Sequence, residues 1–564
     1  MWLNQQPLDD WPKAKTVQLA SFWLHLITEL NFGTILYYTT TGSDCWIEKL
    51  LSESNLSATT LVWSNRLHMP YLKEHQDVNM LGLVCLDIDL YQPMLNALSI
   101  TLNHMREVPL VIQLCIKDSR QPNELEVIRK ILKQCQDLLI PNVLLLLSDF
   151  LNTRNLYAYQ MFPTFRLLSQ LYSARSLLYP YKLANLHGQI IRTRPDLSQP
   201  YVFMYKDRNG NEITTGMLWR LIMGFARQLN ATLELSLDPA TKQVSSIKNG
   251  YFKLLQHTQN GQIDVTSSIF PMTISTKNTI AMFSFPVAIS SWCTMLPVER
   301  RLTPSEAIRG VFESPWMWIY ISIIYCLTRW MDGRRSLRRP LLRLIPSLIQ
   351  LTLLCTVVAQ LSALFIRPHR LQFISNLEQL RAARLQIVGS RSSFNNYPEE
   401  MRIKYASLFI SYENNTEFEL LRNSFNTSYA YTVYALKWNF YAELQNFFKR
   451  PVFRYSDDIC IYEQSLNSVL YRENFLLRHQ LNLHILWLRQ SGIIQFYRKQ
   501  HFFDSLHAGH QKLEDLSTQN EIGPLKYADL DFVLLLYGYA MVVLILIFVF
   551  ELLINFIKVS LDIL

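Results

Sequence analysis

The chain is poor in glycine. Its 564 residues contain 16, and no phosphate-cradling glycine motif follows a strand-like run, so a nucleotide-binding fold has little support. No CxxC pair or Cys/His metal spacing appears, which speaks against a zinc site. A GxSxG elbow and a P-loop are also missing. His501, His507 and His510 cluster near Asp504 and Glu514, but without HExxH spacing. Carboxylate pairs such as Glu399–Glu400 and Asp457–Asp458 read as solvated loop residues. No enzyme activity, metal or cofactor is therefore expected. The opening MWLNQQPLDDWPKAK lacks the charged start and compact apolar core of a signal peptide. Either the start is incomplete, or the first apolar run directs insertion.

What the chain does have is long apolar runs. Residues 341–366, LLRLIPSLIQLTLLCTVVAQLSALFI, are long enough for a bilayer, which needs roughly 20 mostly apolar residues. Residues 532–550 are more uniformly apolar, and 315–330 form a shorter run. Gln350 and Gln360 would sit at membrane depth, where polar side chains face other helices or a water-filled path. The formal charge of +9 does not point to nucleic acid, because Arg329, Arg334, Arg335, Arg338, Arg339 and Arg343 gather around one short loop. Basic residues beside short loops mark the cytoplasmic side of a membrane. The expected fold class is α/β within a multi-pass membrane protein, with both large polar blocks outside. Sequons at Asn55, Asn230, Asn414 and Asn426 all fall in segments placed outside. The cysteines are Cys45, Cys85, Cys115, Cys135, Cys293, Cys326, Cys355 and Cys460. Disulfides in the N-terminal block are open, with no readable connectivity.

In chain order, residues 1–195 alternate strand-like runs (GTILYYTT, LGLVCLDIDL, VPLVIQLCI, NVLLLLSDF) with the helical spacing of NELEVIRKILKQCQDLL. This is an N-terminal α/β domain, too short for a full two-lobed receptor domain. Residues 196–314 read strand, turn, helix, strand, then helix, turn, strand. This suits another α/β domain or half of a bilobed clamp. A membrane helix at 315–330, a basic loop at 331–340 and a second membrane helix at 341–366 follow. Residues 367–531 hold helix–strand and strand–helix units and a long helix broken at Ser-Gly. A membrane helix at 532–557 and a tail at 558–564 end the chain.

These segments resemble, in order, the ionotropic glutamate receptors, and more narrowly the divergent insect ionotropic receptors. GQIDVTSSIFPMTIS and FSFPV resemble the aspartate strand, the Pro-Leu-Thr motif and the Phe-Ser-x-Pro motif of that family's first clamp half. TVVAQLSALF, residues 356–365, stands where the family has Ser-Tyr-Thr-Ala-Asn-Leu-Ala-Ala-Phe, and Ala359, Leu361 and Ala363 match it. LEQLRAARLQIVG, YAYTVYAL and QSGIIQFYRKQHF resemble the opening, the Tyr-Ala-Tyr strand and the closing helix of the second half. The resemblance runs from about residue 201 to the C-terminus. It implies a periplasmic-binding-protein-like extracellular clamp split by membrane helices. It also implies a gate helix at Thr356, Ala359, Gln360, Leu361 and Ala363, and a hetero-tetramer with co-receptor subunits in the plasma membrane of sensory neurons. Clamp closure would pull the linkers 301–314 and 367–376.

The ligand chemistry departs from that family. Its carboxylate-holding arginine, a planar fork, falls on Lys277 or Asn278, and Lys277 is either a point charge for an acid or a solvated surface lysine. Thr273 keeps the motif threonine, and Ser392 or Ser393 offers a hydroxyl from the second half. Tyr434 stands where the family's amine-binding acid belongs, either in the pocket or packed in the interior. A small ligand other than an amino acid is implied. The family's usual disulfide in the second half is not expected, since no cysteine follows Cys460. Only 331–340 separate the first two runs, which leaves no room for a re-entrant pore loop. The chain therefore either lacks a filter or comes from a gene model that skips a coding piece. The two readings are a chemosensory ligand-gated cation channel subunit and a non-conducting accessory that tunes or traffics a partner channel.

Overall fold

The computed structural model describes residues 13–39, 45–53, 58–64, 72–74, 78–115, 124–195, 201–207, 209–236, 250–276, 279–299, 304–313, 315–333, 341–366, 373–395, 397–509, 512–517 and 527–562. The architecture is mixed α/β in two compact units. The first holds Met1–Trp292, Tyr434–Phe440 and Tyr462–Leu513. The second holds Cys293–Val433, Tyr441–Ile461 and Glu514–Leu564.

The first unit opens with a seven-stranded sheet: β1 (Thr34–Thr39), β2 (Thr59–Ser64), β3 (Met80–Asp87), β4 (Leu110–Cys115), β5 (Val143–Leu147), β6 (Asn155–Gln160) and β7 (Arg166–Leu171). Their order is β2-β1-β3-β4-β5-β6-β7. The first five strands are parallel, β6 pairs antiparallel with β5, and β7 pairs antiparallel with β6. MLGLVCLD, LVIQLC and VLLLL are buried throughout, as central parallel strands covered on both faces must be. The strand period of two sorts their side chains. Leu36, Val84 and Leu86 join the core that takes Ile128, Ile131, Leu132 and Cys135 of the helix Glu124–Asp137. Ile35, Leu83 and Cys85 join the opposite core, which takes Leu19, Phe22, Trp23 and Leu26 of the helix Lys13–Leu30. Each helix thus buries positions i, i+3, i+4 and i+7. A disulfide joins Cys45 to Cys85.

The same unit continues with β8 (Ile190–Arg194), the hairpin β9 (Phe203–Lys206) and β10 (Glu212–Thr215), then β11 (Thr232–Leu235), β12 (Val265–Thr266) and β13 (Phe270–Pro271). β8 lies between β11 and β12, parallel to both. The helix Met217–Gln228 buries Leu218, Leu221, Ile222 and Phe225. Leu436, Val469, Leu481, Ile485 and Leu488 complete that core. One hydrophobic core is therefore built from residues near 220 and residues near 480. The N-terminal block meets this region through polar groups. The His104 amide donates to Asn474 Oδ1 at 2.7 Å. Arg478 donates to the His104 carbonyl at 2.8 Å and pairs with Glu107.

The second unit holds part of β14 (Ala288–Pro297), all of β15 (Gln386–Ser390) and β16 (Phe409–Tyr412), most of β17 (Tyr429–Tyr434) and part of β18 (Phe453–Ser468). These strands are ordered β18-β14-β17-β15-β16, and β15 runs parallel to β16 and β17. Leu296 shares its core with Leu380, Ile387, Phe394, Ala430 and Ile459. Gly389 is held to glycine by close packing, because a Cβ there would lie 2.9 Å from Thr432 Oγ1 and 3.1 Å from the Phe394 ring. A disulfide joins Cys293 to Cys460. Cys293 stands far upstream, so this is not the bond within the second half that the sequence argues against.

Four further helices belong to this unit: Pro304–Glu313, Pro315–Gly333, Leu341–Ile366 and Asp531–Asp562. The second and fourth run past the expected ends at 330 and 557. Among the described residues, one helical stretch, Asp531–Ile554, is long and apolar enough to cross a membrane. Its most apolar part has a mean hydropathy of 2.8 and is not buried. The apolar stretches Pro315–Cys326 and Ser347–Thr356 are shorter. Trp316, Trp318, Ile323, Leu351, Leu354 and most of 534–554 expose their side chains, far more contiguous apolar surface than a water-facing protein carries. Seven residues, 334–340, separate the helices Pro315–Gly333 and Leu341–Ile366.

Leu481 has no exposed surface. Leu481→Ala is expected to destabilise the first unit by about 2–5 kcal/mol, read as a lower urea midpoint of the full chain in detergent. An unchanged midpoint would contradict the shared core.

Candidate functional site

In the first unit the side chains with binding chemistry sit on a rigid frame. Asp264, directly before β12, accepts from the Arg192 Nε at 3.1 Å and the Arg192 amide at 2.9 Å. It also pairs with Arg472 at 3.1 Å. Its task is to pin β8 to the loop that follows β18. The Phe-Ser-x-Pro motif is pinned as well. The Val469 amide donates to Ser284 Oγ at 3.2 Å, and the Tyr471 hydroxyl donates to the Phe283 carbonyl at 3.0 Å. Next to this frame Thr273 lies on a 3-10 turn, Met272–Ile274, with its side chain exposed. Lys277 and Asn278 lie outside the described residues.

Tyr434 closes β17 and is half-buried. Its ring stacks on Trp292 of β14 at 4.4 Å, with an interplanar angle of 22°. On its other side Trp292 meets Tyr462 of β18 at 6.2 Å. These three strands are neighbours in the order β18-β14-β17, so the rings form a row across them. Burial, with Tyr201 and Tyr462 adding to it, pushes the Tyr434 hydroxyl well above the ordinary tyrosine value. Trp292 is buried and Tyr434 and Tyr462 are half-buried, so the position where the resemblance implies a carboxylate is filled by packed neutral rings. Such a row offers stacking and cation–π attraction, not an ion pair. Trp292 and Tyr462 were not singled out from sequence. Neither stands in a motif, and only strand pairing brings them to Tyr434.

In the second unit Ser392 and Ser393 occupy the second and third positions of the short helix Arg391–Asn395, directly after β15. The matched positions Thr356, Ala359, Gln360, Leu361 and Ala363 all fall within the helix Leu341–Ile366. Thr356, Ala359 and Ala363 are exposed, and the Thr356 hydroxyl bonds back to the Thr352 carbonyl at 2.8 Å. Of the sequons, Asn55 lies outside the described residues. Asn230 is exposed and donates to Asn185 Oδ1 at 3.0 Å. Asn414 donates to Glu417 at 3.2 Å. Asn426 Oδ1 accepts from the Ser428 amide at 3.0 Å.

The histidine cluster disperses. His501 is buried, with Nε2 3.2 Å from Ser505 Oγ, while His507 is exposed and His510 lies outside the described residues. Asp504 is already engaged, accepting from Arg220 and from Thr215, both at 2.7 Å. No group of three or more metal-ligating side chains occurs among the described residues. No family model and no curated protein matches the chain.

Burial pushes His501 down to about 4; Asp504 opposes that shift, while Lys437 and Arg220 reinforce it. The folded state therefore holds His501 neutral where the unfolded chain binds a proton. Stability is complete above about pH 6.5 and falls as pH drops towards 4. His501→Gln is expected to flatten that limb of a stability–pH profile by roughly 3 kcal/mol. An unchanged slope between pH 6.5 and 4 would sink the assignment.

Proposed function

We propose that the chain is a subunit of a chemosensory, ligand-gated cation channel of the divergent ionotropic receptor type. An extracellular clamp, split by membrane helices, closes on a small ligand other than glutamate and opens a pore. The observation that carries this reading is the shared core. Residues 218–229, before the helical pair at 315–366, pack with residues 469–488 after it. A clamp interrupted by membrane helices needs that arrangement, because the helix Met217–Gln228 cannot bury its apolar face without the later segment. The aromatic row at Trp292, Tyr434 and Tyr462 supports a ligand that is not an amino acid. It places half-buried neutral rings where an amino acid would require a carboxylate. The ligand acts to the extent that it binds the closed clamp better than the open one.

In this reading the helices Pro315–Gly333, Leu341–Ile366 and Asp531–Asp562 cross the plasma membrane of a sensory neuron, in contact with lipid. The clamp and the N-terminal domain lie outside, and co-receptor subunits complete a hetero-tetramer. One observation favours a second reading. The seven residues at 334–340 are too few for a re-entrant helix and a returning filter. A chain without a filter would serve as an accessory that tunes or traffics a partner channel.

Co-expression with a complete partner subunit separates the two. If the chain lines the pore, replacing Ala359 or Leu361 with a bulky residue changes the time course or voltage dependence of the current. If it is an accessory, only current amplitude changes. No change of either kind, with the chain present at the cell surface, would sink both.

A further inference from the structure

The structure assigns Arg454 a mechanical role: it fastens together the two chain segments that run to and from the helical pair, so that they move as one connector. This rests on the reading that those helices answer to the clamp. On the outgoing side the chain leaves β14 at Pro297, and the Val298 amide donates to the Val452 carbonyl at 2.8 Å. Glu299 is the last described residue before the helix Pro304–Glu313. On the returning side the first described residues after the helix Leu341–Ile366 are Phe373 and Ile374. Arg454, near the start of β18, lies against both segments.

The guanidinium engages both segments through Nε, Nη2 and its face. Its Nε donates to Glu299 Oε1 at 3.0 Å and Oε2 at 3.2 Å, and Nη2 donates to Oε1 at 2.6 Å. Nη2 also donates to the Ile374 carbonyl at 2.7 Å. The Phe373 ring covers the guanidinium carbon at 3.7 Å. The Ile374 amide closes the ring by donating to Glu299 Oε1 at 3.4 Å. The Glu299 side chain is 7% exposed and that of Arg454 17%, so bulk water screens the pair little. Burial opposes the Glu299 charge, yet the bonds from Arg454 and the Ile374 amide hold the carboxyl below its usual range. Only a planar fork can grip a carboxylate and a neighbouring carbonyl and still stack on a ring. A lysine would keep the charge and lose the geometry.

With the clip closed, a displacement of this unit reaches the outgoing and the returning segment together. With it open, each segment follows on its own, and tension from the clamp is divided. The test uses the full chain in lipid nanodiscs and needs no ligand and no current. Spin labels on the helix Pro304–Glu313 and at residue 371 report the distance between the segments. Hydrogen exchange reports the Ile374 amide. Arg454→Gln is expected to broaden the distance distribution and to speed exchange at Ile374 roughly 10- to 100-fold. Arg454→Lys should fall between Arg454→Gln and the parent chain, and Glu299→Gln combined with Arg454→Gln should add little to either alone. Unchanged protection at Tyr431 in β17 shows that the unit is still folded, and a variant that loses it is replaced by Glu299→Gln. A distribution and an Ile374 rate equal to those of the parent chain, in a folded Arg454→Gln, overturn the proposal. Because no current is read, a chain that fails the co-expression experiment still gives a separate answer here.

Discussion

The structure depends on one constraint: the core around the helix Met217–Gln228 is complete only when residues from beyond the interrupting helices reach it. The helix Met217–Gln228 presents Leu218, Leu221 and Phe225 to partners that the chain supplies only at 469–488. The second unit repeats the arrangement, with Leu296 closing a core otherwise drawn from 380–459. Burial at about 25 cal/mol per Å² is therefore collected only after the helices between the halves have been placed. Loop-closure entropy must be met before these non-local contacts form.

Against that frame the polar chemistry is sparse and mostly structural. Asp264 braces two arginines, Asp504 is held by Arg220 and Thr215, and buried Arg422 donates to the Tyr441 hydroxyl and the Thr432 carbonyl. Each charge has partners that offset the cost of burial. The rings of Trp292, Tyr434 and Tyr462 carry no charge, and they pack together across three neighbouring strands.

Much of the fold was legible because local period and local structure agree. The apolar runs of β1, β3, β4 and β5 and the spacing of Glu124–Asp137 needed no distant partner to be read. The break at Ser491–Gly492 was visible too, and Gly492 takes the left-handed conformation, φ 73°, between two helices. The helix Lys13–Leu30 lies outside the sequence expectations, although its buried positions follow the helical period. β18 lies outside them as well. FRYSDDICIYEQSLNS is rich in polar residues, and its burial alternates irregularly. Of the candidate site residues, motif position picks out Tyr434. Its stacking partner lies on another strand far back in the chain, and no local pattern announces a pairing of that kind.

The bond between Cys293 and Cys460 has a topological consequence. The two residues stand 167 positions apart, and the helices Pro315–Gly333 and Leu341–Ile366 lie between them. The oxidised chain is thus a macrocycle with two tails, and both helices belong to the ring. A cut anywhere in 300–372 leaves a single covalent molecule, because the halves of the second unit stay joined through sulfur. Only reduction separates them into two fragments.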